Sequence, residues 1–393
     1  MGAEFLEQIL SRMVTSGASD LYLSVASPPV YRIAGTTKTF EDKALSSDDT
    51  ELLAREIIPE HQRELFLAQM ELNIPVHRAG IGRFRVNLLR QRNTTALVIR
   101  HINSEIPSFD KLALPPILER ISLSQRGLVL IVGATGSGKS TTLAAMIHHR
   151  NLTSSGHIIT IEDPIEFIHE HRRSIVTQRE VGIDTLSVES ALKNCLRQAP
   201  DVIVVGEIRT LEAMEAALTF AETGHLCLAT LHSTNTNQAM ERVISFFPPE
   251  RHRQIYLQLS LNLRAVISQR LVMTDTEIRS PAVEILLDSP RVKDLILKGE
   301  IYELKEAMEK GEHLGMQTFD HALFNLYANG TISLDEALRN ADSANNVRLR
   351  AKLSEGPKLT GNQSDKCHSS SRCSSEMVDT TPKADKVKFK LER

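Results

Sequence analysis

The stretch that decides the fold reads Leu128-Val-Leu-Ile-Val-Gly133-Ala-Thr-Gly-Ser-Gly138-Lys139-Ser140-Thr141. Five consecutive branched or long apolar residues predict a buried strand. The spacing GxxxxGK[ST] follows directly, and a helical pattern runs from Thr141 to Arg150. Strand, glycine-rich turn and helix in that order are the context a phosphate-binding loop requires. The glycines let backbone N–H groups turn inward around phosphate oxygens, and the helix N-terminus adds positive potential. The phosphate-binding set is then Gly133, Thr135, Gly136, Ser137, Gly138, Lys139, Ser140 and Thr141. Lys139 is expected to reach the β- and γ-phosphates, and the Ser140 hydroxyl to ligate Mg²⁺. The bland alternative is a glycine-rich turn with no ligand.

Outward from this loop, three more apolar runs each end in a polar turn: His157–Ile161, Asp201–Val205 and His225–Leu231. Helical patterns separate them. Continuous apolar strands with crossover helices predict an α/β fold with a parallel sheet covered on both faces. Ligands in such sheets sit at the carboxyl ends of the strands. Glu162, Asp163 and Glu166 follow one strand and Glu207 follows another, so both groups should face the loop. A carboxylate there can deprotonate water or hold a metal through its water shell. Glu207 is the candidate general base; Glu162 is the candidate metal or water partner, and both are candidate Mg²⁺ carboxylates. His232 ends the fourth strand beside the expected γ-phosphate, whereas His225 begins it.

The first hundred residues differ. Phe5, Leu6, Ile9, Leu10 and Met13 share a helical face, and strand-like runs start at Asp20, Val30, Gly82 and Thr95. Residues 48–69 look helical. This predicts an α+β domain over 1–103. Arg83 and Arg85 alternate on one strand, with Arg90, Arg92 and Arg100 nearby. Guanidinium groups suit a γ-phosphate and can complete a site from another domain or subunit; a solvated basic face is the alternative. Residues 104–116, rich in Pro and Ser, are expected to form a linker or hinge. The P-loop domain is expected over 117–353, helical from about residue 250, with helix caps at Thr318 and Ser333. Serine-rich residues 354–393 read as a disordered tail. Its Cys367, His368 and Cys373 fit no zinc spacing.

The chain has 393 residues, 46 Lys and Arg against 49 Asp and Glu, a net charge of -3, 4% aromatics and no Trp. That balance argues against a nucleic-acid motor with the same core. The longest apolar runs fall far short of the roughly 20 residues of a membrane span. The four cysteines form no CxxC pair. A cytoplasmic protein with reduced thiols is the expectation.

These motifs together resemble the secretion-ATPase superfamily, and within it the PilT/PilU retraction ATPases of bacterial type IV pili. The resemblance covers residues 1 to about 352. Ser19–Ser24 with Pro28-Pro29 resembles the family's PAS-like N-terminal domain. Gly133–Ser140 resembles its Walker A, and Ile161-Glu-Asp-Pro-Ile-Glu-Phe167 its aspartate box. Leu196–Arg209 resembles its Walker B, and Ala221–His232 its histidine box. The resemblance implies a RecA-like core and a homo-hexameric ring that hydrolyses ATP at subunit interfaces. It carries the Walker B glutamate onto Glu207, the phosphate-sensing histidine onto His232, and the trans-acting arginines onto Arg85 and Arg100. It implies docking on an inner-membrane pilus platform protein from the cytoplasm, retraction alongside a PilT-like ATPase, and no nucleic-acid partner. Arg291–Lys298 largely lacks the AIRNLIRE motif of PilT, and Phe246-Phe-Pro-Pro-Glu, Ser260-Leu-Asn-Leu and the extended tail are closer to the PilU branch. Thr210 stands where the family usually has Asp, removing a possible partner for Arg209. The alternatives are a partner-dependent nucleotide-binding adaptor and a pilus extension or secretion ATPase; the latter usually carries extra N-terminal domains and a tetracysteine site.

Overall fold

The computed structural model describes residues 2–33, 35–102, 105–276 and 278–354. Residues 1–351 make one compact unit; of the second, 352–393, only the helical residues 352–354 are described. The predicted tail, with Cys367, His368 and Cys373, lies outside the described residues.

The N-terminal part opens with α1 (Gly2–Thr15), whose i, i+3, i+4 spacing buries Leu6, Ile9, Leu10 and Met13. Six antiparallel strands follow: β1 (Asp20–Leu23), β2 (Val30–Ile33), β3 (Thr36–Thr39), β4 (Glu71–Arg78), β5 (Gly82–Gln91) and β6 (Thr94–Ile102), in the order β3-β2-β1-β6-β5-β4. The expected helix over 48–69 is two helices, α2 (Ser47–Ile57) and α3 (Arg63–Gln69). Pro59 disfavours helical geometry at Ile58, which ends α2. A reciprocal Ser46–Asp49 capping box starts α2. Along β5, Phe84, Val86 and Leu88 point into the core against α1, so Arg83 and Arg85 point the other way.

The second sheet holds β7 (Gly127–Val132), β8 (Gly156–Glu162), β9 (Ser174–Glu180), β10 (Val202–Val205), β11 (Leu226–Leu231), β12 (Leu263–Met273) and β13 (Arg279–Leu287). Their order is β13-β12-β7-β11-β10-β8-β9, parallel except for β13. Every residue of β7, β10 and β11 is buried, because separate apolar clusters cover the two faces. Helices α4 (Ile117–Ser122), α5 (Lys139–Thr153), α6 (Val188–Cys195), α7 (Leu211–Glu222), α8 (Thr236–Ser245), α9 (His252–Asn262) and α10 (Pro290–Lys298) provide the cover. Successive connections run from β7 out to β8, back through β10 and β11, and on to β12 beyond β7. That reversal opens a crevice at the carboxyl ends of β7, β10 and β11.

One expectation needs correction. The region after residue 250 is not helical throughout, since β12 and β13 form a long antiparallel pair. Their apolar runs are buried from both sides, where β-branched residues pack well. Within the expected linker, part of the chain packs against the second sheet. Phe109 and Leu114 sink into the core of the second sheet, and Phe109 meets His149 of α5 edge-on at 5.5 Å.

Candidate functional site

The phosphate loop leaves β7 at Gly133 and enters α5 at Lys139. A Cβ on Gly133 would sit 2.3 Å from Ser137 Oγ and 2.6 Å from the Gln269 carbonyl oxygen, so no larger residue fits. Gly138 has φ +87° and caps α5 in the left-handed region, which glycine adopts without strain. Lys139 is buried. Its Nζ donates to the carbonyls of Gly133 (2.8 Å) and Ala134 (2.9 Å). Burial lowers its pKa, while Glu207 and Glu166 oppose that shift. Ser137 Oγ is buried with no hydrogen-bond partner among the described residues. A buried ammonium and an orphaned hydroxyl at one loop fit a phosphate, which would satisfy both.

Facing the loop is a cleft of about 840 Å³, including its open mouth. Thr135, Gly136, Lys139, Ser140, Glu162, Glu166, Glu207 and His232 line it. Ser140 Oγ donates to Glu166 Oε1 at 3.0 Å. Glu207 is held through both oxygens. His232 Nε2 lies 2.6 Å from Oε1, and Arg209 Nε donates to Oε2 at 2.6 Å. Arg209 also reaches Asp163 Oδ2 at 3.4 Å. Glu162 Oε1 accepts from Thr160 Oγ1 (2.6 Å) and Gln178 Nε2 (3.1 Å), and burial raises its pKa.

The structure therefore gathers the loop, Glu162, Glu207 and His232 in one cleft. It does not bring Arg85 or Arg100 to the cleft wall. Arg85 Nη1 lies 3.8 Å from Glu180 at the end of β9, and Arg100 Nε binds Asp20 Oδ1 at 2.9 Å. His225 stands at the opposite end of β11, with Nδ1 3.1 Å from Thr223 Oγ1. Thr210 does not leave Arg209 unpartnered, since Glu207 and Asp163 take it. Thr210 instead caps α7 and donates to Glu189 Oε1.

Hard oxygen donors suit Mg²⁺, which takes few protein ligands and keeps its waters and phosphate oxygens. The Ser140 hydroxyl beside Glu166 fits that chemistry. No group of three or more acidic, His or Cys side chains that could cage a metal occurs among the described residues.

Sequence reading missed Gln269 and Thr142. Thr142 Oγ1 donates to Gln269 Oε1 at 2.6 Å, both side chains being buried. The Gln269 amide also abuts Gly138. No local motif marks Gln269, which arrives from a strand 130 residues downstream of the loop's Lys139 (269 − 139). Flanking residues of β12 bind the segment after His232: Ser268 Oγ lies 3.1 Å from Thr236 Oγ1, and Arg270 donates to the Thr234 carbonyl. Gln269→Leu leaves a buried hydroxyl without its acceptor, costing about 1–3 kcal/mol. The expected result is a lower melting temperature and roughly tenfold weaker binding of a fluorescent ATP analogue. Unchanged binding would show that β12 does not support the loop.

A family profile described as type II/IV secretion system protein matches residues 3–284. The chain belongs to this family. It is a nucleotide-binding P-loop ATPase of the type II/IV secretion system family. Among relatives, it is 51% identical to a protein named type IV pilus ATPase PilU of Pseudomonas aeruginosa, over 93% of this chain and 94% of that one. It is 40% identical to the type IV pilus retraction ATPase PilT of the same organism, over 86% and 98%. The crystal structure of the pilus retraction motor PilT with bound ADP matches at a TM-score of 0.82 and 38% identity, covering 87% of this chain and 98% of that one. The higher identity to PilU agrees with the branch read from the sequence. No helix among the described residues is long and apolar enough to cross a membrane.

Proposed function

We propose that this secretion-family ATPase works as a homo-hexameric motor that retracts type IV pili together with a PilT-like ATPase. The observation that carries the reading is Glu207 held over the phosphate loop by His232 and Arg209. Lys139 leaves its loop carbonyls to neutralise the β- and γ-phosphates of ATP. Glu207 orients the attacking water in line with the γ-phosphate and takes its proton. His232, hydrogen-bonded to Glu207, registers loss of the γ-phosphate at the end of β11. Glu162, fixed by Thr160 and Gln178, orders water on the other side. Ser140, Glu162 and Glu207 are the residues that would hold Mg²⁺, which when bound would supply positive charge against the phosphates.

Residues 1–103 and 117–353 are read as domains that close on ATP. The hinge is read within 104–116, where Phe109 and Leu114 anchor the chain to the second domain. Closure within the ring brings Arg85, with Arg100 beside it, to the γ-phosphate at a subunit interface. The cytoplasmic ring would dock on an inner-membrane pilus platform protein. Sedimentation with ATP should give six times the protomer mass. Pilus retraction should fail when a strain lacking the chain is complemented with a hydrolysis-dead variant. Arg85→Ala is expected to lower kcat at least about tenfold. A variant with wild-type turnover would remove Arg85 from the site.

A partner-dependent adaptor is the second reading, favoured by the occupation of both Glu207 oxygens. Turnover then requires a neighbour to draw Arg209 away, and hydrolysis would appear only on mixing with the PilT-like ATPase.

A further inference from the structure

We propose that Glu180 is a positioning residue that restrains Arg85 and sets the anionic charge needed to release it. This rests on Arg85 being a γ-phosphate contact, as read above. Glu180 is the last residue of β9, and its side chain is almost fully buried. Its Oε2 accepts the Ile165 N–H at 3.3 Å, which ties it to the Asp163–Glu166 loop of the cleft wall. Its Oε1 is buried and accepts no hydrogen bond. That oxygen faces Arg85 Nη1 at 3.8 Å, close enough for an ion pair but too far for a hydrogen bond.

The neighbouring arginine is placed differently. Arg85 and Arg100 are cross-strand partners on β5 and β6, and Asp20 of β1 is paired with Arg100. Arg100 Nε donates a 2.9 Å hydrogen bond to Asp20 Oδ1, so that guanidinium has a close carboxylate of its own. Among the described residues Arg85 has only the looser pair with Glu180. Asp184 and Asp163 add negative charge around Glu180, and its burial already disfavours the carboxylate.

Moving Arg85 away leaves the buried Glu180 carboxylate without its cation, which opposes release by about the worth of this loose pair. An anion that binds the guanidinium weakly offsets that less well than one that binds it strongly. A terminal phosphate binds strongly, because a guanidinium takes it through two parallel hydrogen bonds. Glu180 thus favours release of Arg85 to the γ-phosphate over release to a weaker anion in the cleft.

The test is steady-state ATP hydrolysis by the full chain as wild type, Glu180→Gln, Arg85→Ala and the double variant. Gln keeps the shape and an acceptor for Ile165 but removes the charge. Glu180→Gln is expected to lower KM for ATP about threefold to tenfold, the size of one partly exposed ion pair, with kcat within about twofold. The double variant is expected to match Arg85→Ala, because Glu180 acts only through Arg85. A Glu180→Gln effect that persists without Arg85, an unchanged KM, or a loss of kcat resembling Arg85→Ala would each overturn the proposal. Wild-type kinetics in Arg85→Ala would instead overturn the underlying reading of Arg85. If Glu180→Gln does not fold, Glu180→Asp lengthens the pair and should lower KM less but in the same direction; an unchanged or raised KM would overturn the proposal.

Discussion

Glu207→Gln is expected to lower steady-state ATP hydrolysis by about 10²-fold or more while leaving nucleotide binding intact. The amide keeps the side chain's shape and can still accept from Arg209, so the cleft wall stays in place. It cannot take a proton from water. Its NH₂ group also replaces the Oε1 that His232 Nε2 approaches at 2.6 Å, so the two groups become donor against donor unless His232 presents a bare nitrogen. Equilibrium binding of a fluorescent ATP analogue separates the two effects. Lost turnover with retained binding assigns the chemistry to Glu207. Undiminished turnover would show that the attacking water is activated elsewhere, with Glu162 the next carboxylate to replace.

Gly133→Ala should abolish nucleotide binding in the accessible concentration range, a loss of at least about 10²-fold. The added methyl would approach Ser137 Oγ to 2.3 Å and the Gln269 carbonyl oxygen to 2.6 Å. One obstacle is backbone of β12, which is hydrogen-bonded on both sides to β7 and β13 and cannot retreat cheaply. The loop must move instead, and overpacking of this kind costs about 1–3 kcal/mol in stability. A loop displaced by an ångström no longer presents its N–H groups to phosphate. Binding titrations and a thermal melt measure the two consequences. Wild-type affinity in a folded Gly133→Ala protein would mean that the loop reaches its binding geometry through another backbone path. The same variant should leave the antiparallel sheet of residues 20–102 untouched, because its core is built from separate residues.

Local patterns carried a large part of this protein's description. The five apolar residues before Gly133 read as a buried strand because a glycine-rich turn and a helical pattern follow directly, and glycines at 133, 136 and 138 suit a chain that turns tightly. Placing Glu162, Glu207 and His232 at strand ends followed from the parallel-sheet rule, because crossover helices force all carboxyl ends to one edge. Long-range contacts were invisible in that reading. Gln269 supports the phosphate loop from a strand added beyond β7, and the apolar run that forms β12 reads equally well as buried helix. Gln178 reaches Glu162 because β8 and β9 pair in a register that no sequence period encodes. Arg85 and Arg100 look alike along the chain. Only the pairing of β1 with β6 gives Arg100 a close aspartate, while Arg85 faces the buried Glu180 at the end of β9. The sequence by itself determined where the glycine-rich loop lies between its strand and its helix, because strand, turn and helix are local. The tertiary structure alone decided which partner each charged group is held by, because that depends on strands brought together from distant parts of the chain.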